Sequence, residues 1–332
     1  MTIDVHTHFI PTALADALRR RTTPPWIERL DDGSERIHMP IGALALSEDY
    51  WDMNKRLQFM DAHGIAMQVL SFPGLFGLDS LPADECGPLL KTFNEAASEL
   101  TRAHSDRFLG LAALPFADME AAVAEYRRGR TELGLGGAIL PNNAFASLAH
   151  AEKLRPLFDV AEELGGHLFI HPGRRPDEVP PGNVSGTSPF ADSFIARQAL
   201  GVQNAVAHCM VTLLFTDFLD PYEKLTVHVA NLGGTLPMVI ERMDHVATTR
   251  TPGEPLPSER AHRVHVDISS LGPKAIRIAA DVYGADRLLF GTDCPIFSTR
   301  WSLDAVAGSG LSAAEQATVL SGNADKLLGG CL

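Results

Sequence analysis

The sequence predicts a (β/α)8 barrel of the TIM type, and three observations carry that expectation. Short apolar runs bounded by turn residues recur along the chain, amphipathic stretches separate them, and several of those stretches end at glycine just before the next run. The runs are residues 2–5, 66–72, 108–114, 137–140, 166–170, 225–230, 263–269 and 287–291. Most are continuously apolar, as strands covered on both faces are. Eight such runs alternating with helices in 332 residues point to a closed parallel barrel. The competing doubly wound open sheet lacks its signature, because no GxGxxG or Walker loop follows any run.

Helical period is clear at residues 86–104, 119–133, 150–164 and 274–283. Glu132-Leu-Gly-Leu-Gly-Gly and Glu163-Leu-Gly-Gly-His supply the glycine stops that end two of them. Two stretches break the rhythm and are expected as long loops after strands one and five. The first is residues 11–50, with Thr22-Thr-Pro-Pro-Trp; the second is residues 172–190, with Pro172-Gly-Arg-Arg-Pro and Val179-Pro-Pro-Gly-Asn. No internal repeat is evident, so residues 1–332 are read as one domain.

Composition narrows the function classes. Hydrophobic residues make up 45% and charged residues 21%, a globular balance. Acidic residues outnumber basic ones by 41 to 28, for a formal charge of −13. That excess argues against non-specific nucleic-acid binding and against an anionic membrane surface, but leaves small anionic substrates open. Cys86, Cys209, Cys294 and Cys331 lack CxxC spacing, so neither a disulfide framework nor a zinc ribbon is expected. No apolar run of the roughly 18–20 residues that span a bilayer is evident. The opening Met1-Thr-Ile-Asp-Val-His-Thr-His has no signal-peptide pattern, so a cytoplasmic protein is expected.

The chemistry sits at strand ends. His6 and His8 form His-x-His at the end of the first run, and residues two apart in a strand share a side. Leu168-Phe-Ile-His171-Pro-Gly ends the fifth run, and Leu289-Phe-Gly-Thr-Asp293-Cys-Pro ends the eighth. In a barrel, these ends open on one face. Three histidines and a carboxylate suit one divalent cation, zinc first, with manganese, iron or cobalt as alternatives. Taken singly, a chance His-x-His, a core His171 and an N-capping Asp293 are ordinary. Their coincidence at the ends of strands one, five and eight favours the metal.

On these motifs the chain resembles the amidohydrolase superfamily, in the branch that contains 2-amino-3-carboxymuconate-6-semialdehyde decarboxylase and related carboxy-lyases. The likeness runs nearly end to end. It includes Ile3-Asp-Val-His-Thr-His-Phe-Ile-Pro, Trp51-Asp with Arg56, Met60-Asp-Ala-His-Gly-Ile and Arg107-Phe-Leu-Gly-Leu-Ala-Ala-Leu-Pro. It continues through His171-Pro-Gly, Gly291-Thr-Asp-Cys-Pro and Gly322-Asn-Ala. The resemblance implies a barrel, often dimeric, with His6, His8, His171 and Asp293 as metal ligands. It also implies that Arg56 and Arg242 hold substrate carboxylates, the second arginine reaching in from a neighbouring subunit. Trp51 and Arg174 join them as candidate substrate contacts, and Phe72, Pro73, Leu75 and Phe76 as candidate apolar walls.

One departure matters. The family's strand-six Ala-His-Gly-Gly-Gly is here Ala230-Asn231-Leu232-Gly233-Gly234, and an amide cannot carry a proton at neutral pH. His228, three residues earlier, is expected to face the other way and to be structural. His167 is expected on the face of His171 but deeper. Proton handling then falls to Asp293, with Asn231 orienting water or a substrate oxygen. The leading expectation is a metal-dependent carboxy-lyase of a small unsaturated or aromatic carboxylic acid, working as a homodimer without nucleic acid or membrane. The alternatives are a hydrolase of an amide, lactone or carbon–carbon bond, and an inert barrel kept for binding.

Overall fold

In the computed structural model, residues 1–40, 42–178 and 194–329 are described. Strand β1 (Thr2–His8) leads through α1 (Thr12–Arg19) into a small antiparallel sheet of β2 (Trp26–Arg29), β3 (Glu35–His38) and β4 (Ala43–Leu46). Helix α2 (Met53–His63) returns the chain to β5 (Ile65–Ser71). Then follow α3 (Ala83–Ala103), β6 (Phe108–Ala112), α4 (Met119–Thr131), β7 (Gly137–Pro141), α5 (Leu148–Ala151), α6 (Arg155–Leu164) and β8 (His167–His171). The last part comprises α7 (Phe194–Phe215), β9 (Thr226–Val229), α8 (Leu236–Arg250), β10 (His265–Asp267), α9 (Pro273–Tyr283) and β11 (Leu288–Leu289). Helices α10 (Thr299–Ala307), α11 (Ala313–Ala317) and α12 (Asn323–Leu328) end it.

Local chemistry explains several of these boundaries. Asp52 and Asp118 cap α2 and α4 by accepting from the backbone N–H groups of Lys55 and Ala121. Helix α2 stops at Gly64, whose φ of 67° is the left-handed conformation a helix end needs. Pro156 sits in the first turn of α6, where its missing N–H costs nothing.

Among the described residues, β1, β5, β6, β7, β8, β9, β10 and β11 form one eight-stranded parallel sheet in that order. The sheet closes on itself. Val5 N donates to Phe290 O (2.9 Å), Asp293 N to His6 O (2.8 Å) and His8 N to Cys294 O (2.7 Å). Asp4 spans the same seam: Oδ1 accepts from Thr292 N (3.0 Å), while Oδ2 accepts from Thr292 Oγ1 (2.7 Å) and Gln68 Nε2 (3.2 Å). The structure is therefore the expected (β/α)8 barrel.

Two apolar layers hold it. Ile3, Val5, Met67, Val69, Leu109, Leu111, Ile139 and Phe169 fill the interior, joined by Leu327 and Leu328 of α12. Outside the strands, Leu70, Phe108, Leu168 and Val229 meet helix residues such as Phe93, Tyr126 and Phe158. Val5 and His6 both belong to the interior side although they are adjacent. A register irregularity between Asp4 and Thr7 accounts for this, because one extra residue reverses which positions face inward.

One expectation needs correction, and two others meet the structure in part. Residues 11–50 are not a long loop: Leu14, Ala15 and Leu18 give α1 a buried stripe, and Ile27, Ile37 and Leu46 anchor the three-stranded sheet. Elements of four to eight residues are too short for period counting to separate from loop. In the second expected loop, residues 172–178 carry one short turn at Pro176–Glu178, and residues 179–193 lie outside those described. Finally, the Ile195–Phe215 stretch of α7 is long and apolar enough, by length and composition alone, to cross a membrane. Its second half is core, with Val206, Cys209, Met210, Leu213 and Leu214 buried.

Asp79, between β5 and α3, is 2% exposed and accepts from Ser80 Oγ at 3.3 Å. Burial pushes its pKa up to about 7, against the lowering effect of hydrogen bonds. The folded chain therefore holds this proton more tightly than the unfolded chain, and the stability it contributes is present near pH 4 and lost as pH rises through 7. Urea unfolding should show Asp79→Asn gaining on the parent by about 2–4 kcal/mol between pH 4 and pH 8. Parallel pH profiles would contradict this.

Candidate metal centre

The barrel brings four side chains to one point at the C-terminal ends of its strands. His6 and His8 come from β1, His171 ends β8, and Asp293 lies on the segment that completes the seam after β11. Their ligating atoms all lie within 4.8 Å of one another. His8 Nε2 is 3.0 Å from Asp293 Oδ1 and 3.2 Å from His171 Nε2, and His6 Nε2 is 3.6 Å from Asp293 Oδ1.

Each imidazole is oriented by a group behind it. His6 Nδ1 meets Asp267 Oδ2 at 3.0 Å, and His171 Nδ1 meets Pro172 O at 2.8 Å. His8 Nδ1 meets Ser71 Oγ at 3.1 Å, and that hydroxyl gives its own proton to Thr7 O at 3.0 Å. All three partners can only accept, so each Nδ1 carries the hydrogen and each Nε2 presents a lone pair. Three lone pairs and a carboxylate oxygen thus converge in a buried space. His6 Nε2 and Asp293 Oδ1 have no hydrogen-bond partner. Atoms bound at about 2.1 Å to one ion lie roughly 3–3.5 Å apart, close to these separations. The residues fit one divalent cation.

The electrostatics agree. Burial lowers the pKa of His8, and lowers that of His171 well below the ordinary value, keeping both rings neutral. For His6, burial acts the same way, but the Asp267 and Asp293 carboxylates outweigh it and raise the pKa. Burial would push Asp267 up; His6 and His228 beside it outweigh that and hold it well below the usual carboxylate range. A proton on His6 and a cation at the centre therefore compete for one place.

The backbone is shaped around this point. Among the described non-glycine residues, Asn231, Leu232, Ser270 and Asp293 have left-handed φ, between 54° and 60°. All four follow the ends of β9, β10 or β11. Such conformations cost about 1–2 kcal/mol each and concentrate where a site must be aimed. Asp267 Oδ1 ties two of these turns together, accepting from Asn231 N (3.3 Å) and Ser269 N (3.0 Å). Gly291 makes room: a Cβ there would lie 2.8 Å from His6 Cβ and 3.0 Å from Asp267 Cβ.

The other expected site residues border this group or lie outside it. Asn231 is buried next to Asp267, and its Oδ1 accepts from Ser269 Oγ at 2.7 Å. Arg56 is buried and donates through Nη2 to His8 O (2.6 Å) and Asp49 O (3.0 Å), and through Nη1 to Gln68 Oε1 (3.3 Å). It also borders a cavity of about 220 Å³ together with Lys55, Cys294 and Arg300. Trp51 is half-buried under the Arg19 guanidinium, 5.6 Å from the ring centre. Arg174 is half-buried, with Nη1 on Glu178 O at 3.3 Å. Arg242 is exposed on α8 and has no ion pair among the described residues. Phe72 and Phe76 are core, while Leu75 is exposed.

Sequence reasoning missed Asp267, Ser71 and Phe169 and misplaced His228. Asp267 stands near the end of the seventh run much as Asp293 does at the eighth, which is a usable signal. His228 faces the barrel interior, its ring stacked on Phe169 at 4.1 Å. Counting by twos back from Asn231 fails because β9 ends at Val229 and Asn231 is left-handed.

The sequence profile of a family described as amidohydrolase matches residues 3–330. A 2-amino-3-carboxymuconate-6-semialdehyde decarboxylase of Dictyostelium discoideum is 25% identical over 306 residues, which cover 89% of this chain and 82% of the relative. A gamma-resorcylate decarboxylase of Rhizobium radiobacter is 26% identical over 320 residues, covering 84% of this chain and 90% of its own. Among solved structures, the apo IDCase of Metarhizium anisopliae superposes with a TM-score of 0.81 at 21% identity, over 99% of this chain and 97% of that one. The 5-carboxyvanillate decarboxylase of Novosphingobium aromaticivorans, crystallised with manganese and 4-hydroxy-3-methoxy-5-nitrobenzoic acid, gives 0.76 at 20% identity, over 99% and 96%.

Gly291→Ala should force His6 and Asp267 apart and weaken divalent-ion binding by about tenfold or more, read by chelator competition with the circular-dichroism spectrum unchanged. Undiminished affinity would show that this close approach is not needed.

Proposed function

The chain belongs to the amidohydrolase family, and on that footing we propose that it is a metal-dependent carboxy-lyase. Its substrate would be a small aromatic or unsaturated carboxylic acid. The observation that carries the reading is the buried set of three outward-protonated imidazoles and one carboxylate. Relatives named as decarboxylases of such acids support it. A divalent ion held by His6, His8, His171 and Asp293 would supply a Lewis acid that polarises a substrate oxygen and makes nearby water more acidic. Zinc is our first choice; manganese, iron and cobalt suit the same donors.

The chain's own groups supply the rest. When carbon dioxide leaves, the bonding pair stays on the substrate carbon, and that carbon must take a proton. Asp293 is 8% exposed against 0–2% for the three histidines, so it is the member of the set that a substrate can approach. We assign it to deliver the proton and to regain one from solvent. Asn231 cannot carry a proton; with Oδ1 held by Ser269, its amide N–H groups are left to orient a substrate oxygen.

Arg242, exposed and without an ion pair among the described residues, is proposed to grip the substrate carboxylate in the site of a second copy of the chain. Exposed Ile195 and Leu200 on α7, with Met238 and Val239 on α8, give that homodimer an apolar face. Arg174 and Trp51 are proposed as further substrate contacts, and Arg56 as one that also holds the backbone of His8. Free Cys86, Cys209 and Cys294 suit a cytoplasmic setting. The same donors would serve a hydrolase of an amide, lactone or carbon–carbon bond, a reading that Asn231 in the histidine's place keeps in view.

A panel of carboxyl-labelled hydroxybenzoates and muconate semialdehydes should release labelled carbon dioxide; water incorporation without gas would favour the hydrolase. Asp293→Asn should lower kcat by about a thousandfold or more, and near-parent turnover would overturn the proton assignment. Arg242→Ala should raise KM about tenfold with metal content unchanged; an unaltered KM would remove this residue from the substrate site.

A further inference from the structure

Beneath the metal centre, the barrel interior holds two more imidazoles where branched apolar side chains ordinarily sit. His167 on β8 and His228 on β9 are fully buried. His167 Nδ1 meets Thr226 Oγ1 at 2.8 Å, and His167 Nε2 meets His228 Nδ1 at 2.5 Å. His228 Nε2 lies 3.3 Å from Asp267 Oδ2, off the line of a well-directed hydrogen bond. Burial lowers the pKa of His228, and that of His167 well below the ordinary value, so both rings are neutral.

The charge of Asp267 then selects among the tautomers, because a lone pair on His228 Nε2 would face the carboxylate oxygen at 3.3 Å. A carboxylate only accepts, which places the His228 hydrogen on Nε2 and leaves Nδ1 to accept from His167 Nε2–H. His167 Nδ1 in turn accepts from the Thr226 hydroxyl. The hydrogens run one way, from Thr226 through His167 to His228, whose Nε2–H faces Asp267 without a formed hydrogen bond, and His6 donates into the same carboxylate from the other side. His228 also lies flat against Phe169, with centroids 4.1 Å apart and planes at 10°. Phe169 packs edge-on to His6 at 4.7 Å. Asp267 and Phe169, two neighbours that fix the His6 ring, therefore both rest on His228.

We infer that His228, braced by His167, is a positioning residue for His6, acting through Asp267 and Phe169. The inference rests on the reading of His6 as a metal ligand. It assigns a task to two polar groups that the reaction itself does not use, and it explains why leucine or valine does not fill these positions: neither offers a donor to Asp267.

The test is the dissociation constant for manganese and for zinc, by chelator competition on the whole chain. It compares the parent with His228→Phe, His228→Gln, Asp267→Asn and the double variant His228→Phe with Asp267→Asn. Phenylalanine keeps the stack on Phe169 but removes the nitrogens. His228→Phe should bind about tenfold more weakly, and His228→Gln, with an amide donor, should recover much of the loss. The double variant should bind no more weakly than Asp267→Asn, because the two act in series. Affinity within about twofold of the parent in His228→Phe, or additive losses in the double variant, would overturn the inference. A parent that takes up no divalent ion would instead remove the metal-centre reading, and the inference with it. Nitrogen-15 imidazole spectra of the parent need no variant: His167 and His228 should both carry their hydrogen on Nε2. Finding the His228 hydrogen on Nδ1 would leave Asp267 without that donor and would equally overturn it.

Discussion

Three imidazoles can face one another in a buried space only if each gives its hydrogen to something behind it. That constraint organises the mouth of this barrel. Asp267, Ser71 and Pro172 O each take a hydrogen from one ring, and the inward nitrogens are left with lone pairs directed at the Asp293 oxygen. Without those backing groups the rings would be free to turn and satisfy one another. With them, the centre is short of positive charge.

The fold delivers this arrangement through its seam. Three of the four converging residues lie where the first strand meets the chain following the last, so barrel closure and site assembly are one event. Asp4 fastens that seam from the outer side, and the irregularity between Asp4 and Thr7 turns His6 and His8 inward. Arg56 adds a clamp from α2 by holding His8 O. The unusual backbone at Asn231, Ser270 and Asp293 is tolerable because neighbouring hydrogen bonds, two of them to Asp267 and one from Asp293 N to His6 O, hold it.

Much of this was legible beforehand, for identifiable reasons. Buried parallel strands announce themselves as apolar runs, and the structure has a strand at each of the eight. His6, His8, His171 and Asp293 were readable because strand ends in a barrel share a face. The small sheet of β2, β3 and β4 was not, because four-residue strands carry too little pattern. Asp267 and His228 escaped for another reason. Their task is visible only once strands distant in sequence lie side by side, and the alternation rule misdirected His228 where the chain left the strand. Arg56 illustrates a further limit: its position in the motif was plain, but its commitment to His8 O depends on how α2 lies on the barrel.

The account stands or falls on a single cation shared by four residues. Anomalous diffraction at the absorption edge of a divalent metal added to the pure protein tests this most directly. It should show one strong peak per chain, about 2.0–2.2 Å from His6 Nε2, His8 Nε2, His171 Nε2 and an Asp293 oxygen. A peak elsewhere, or none between these four groups in protein that has taken up metal, would contradict it.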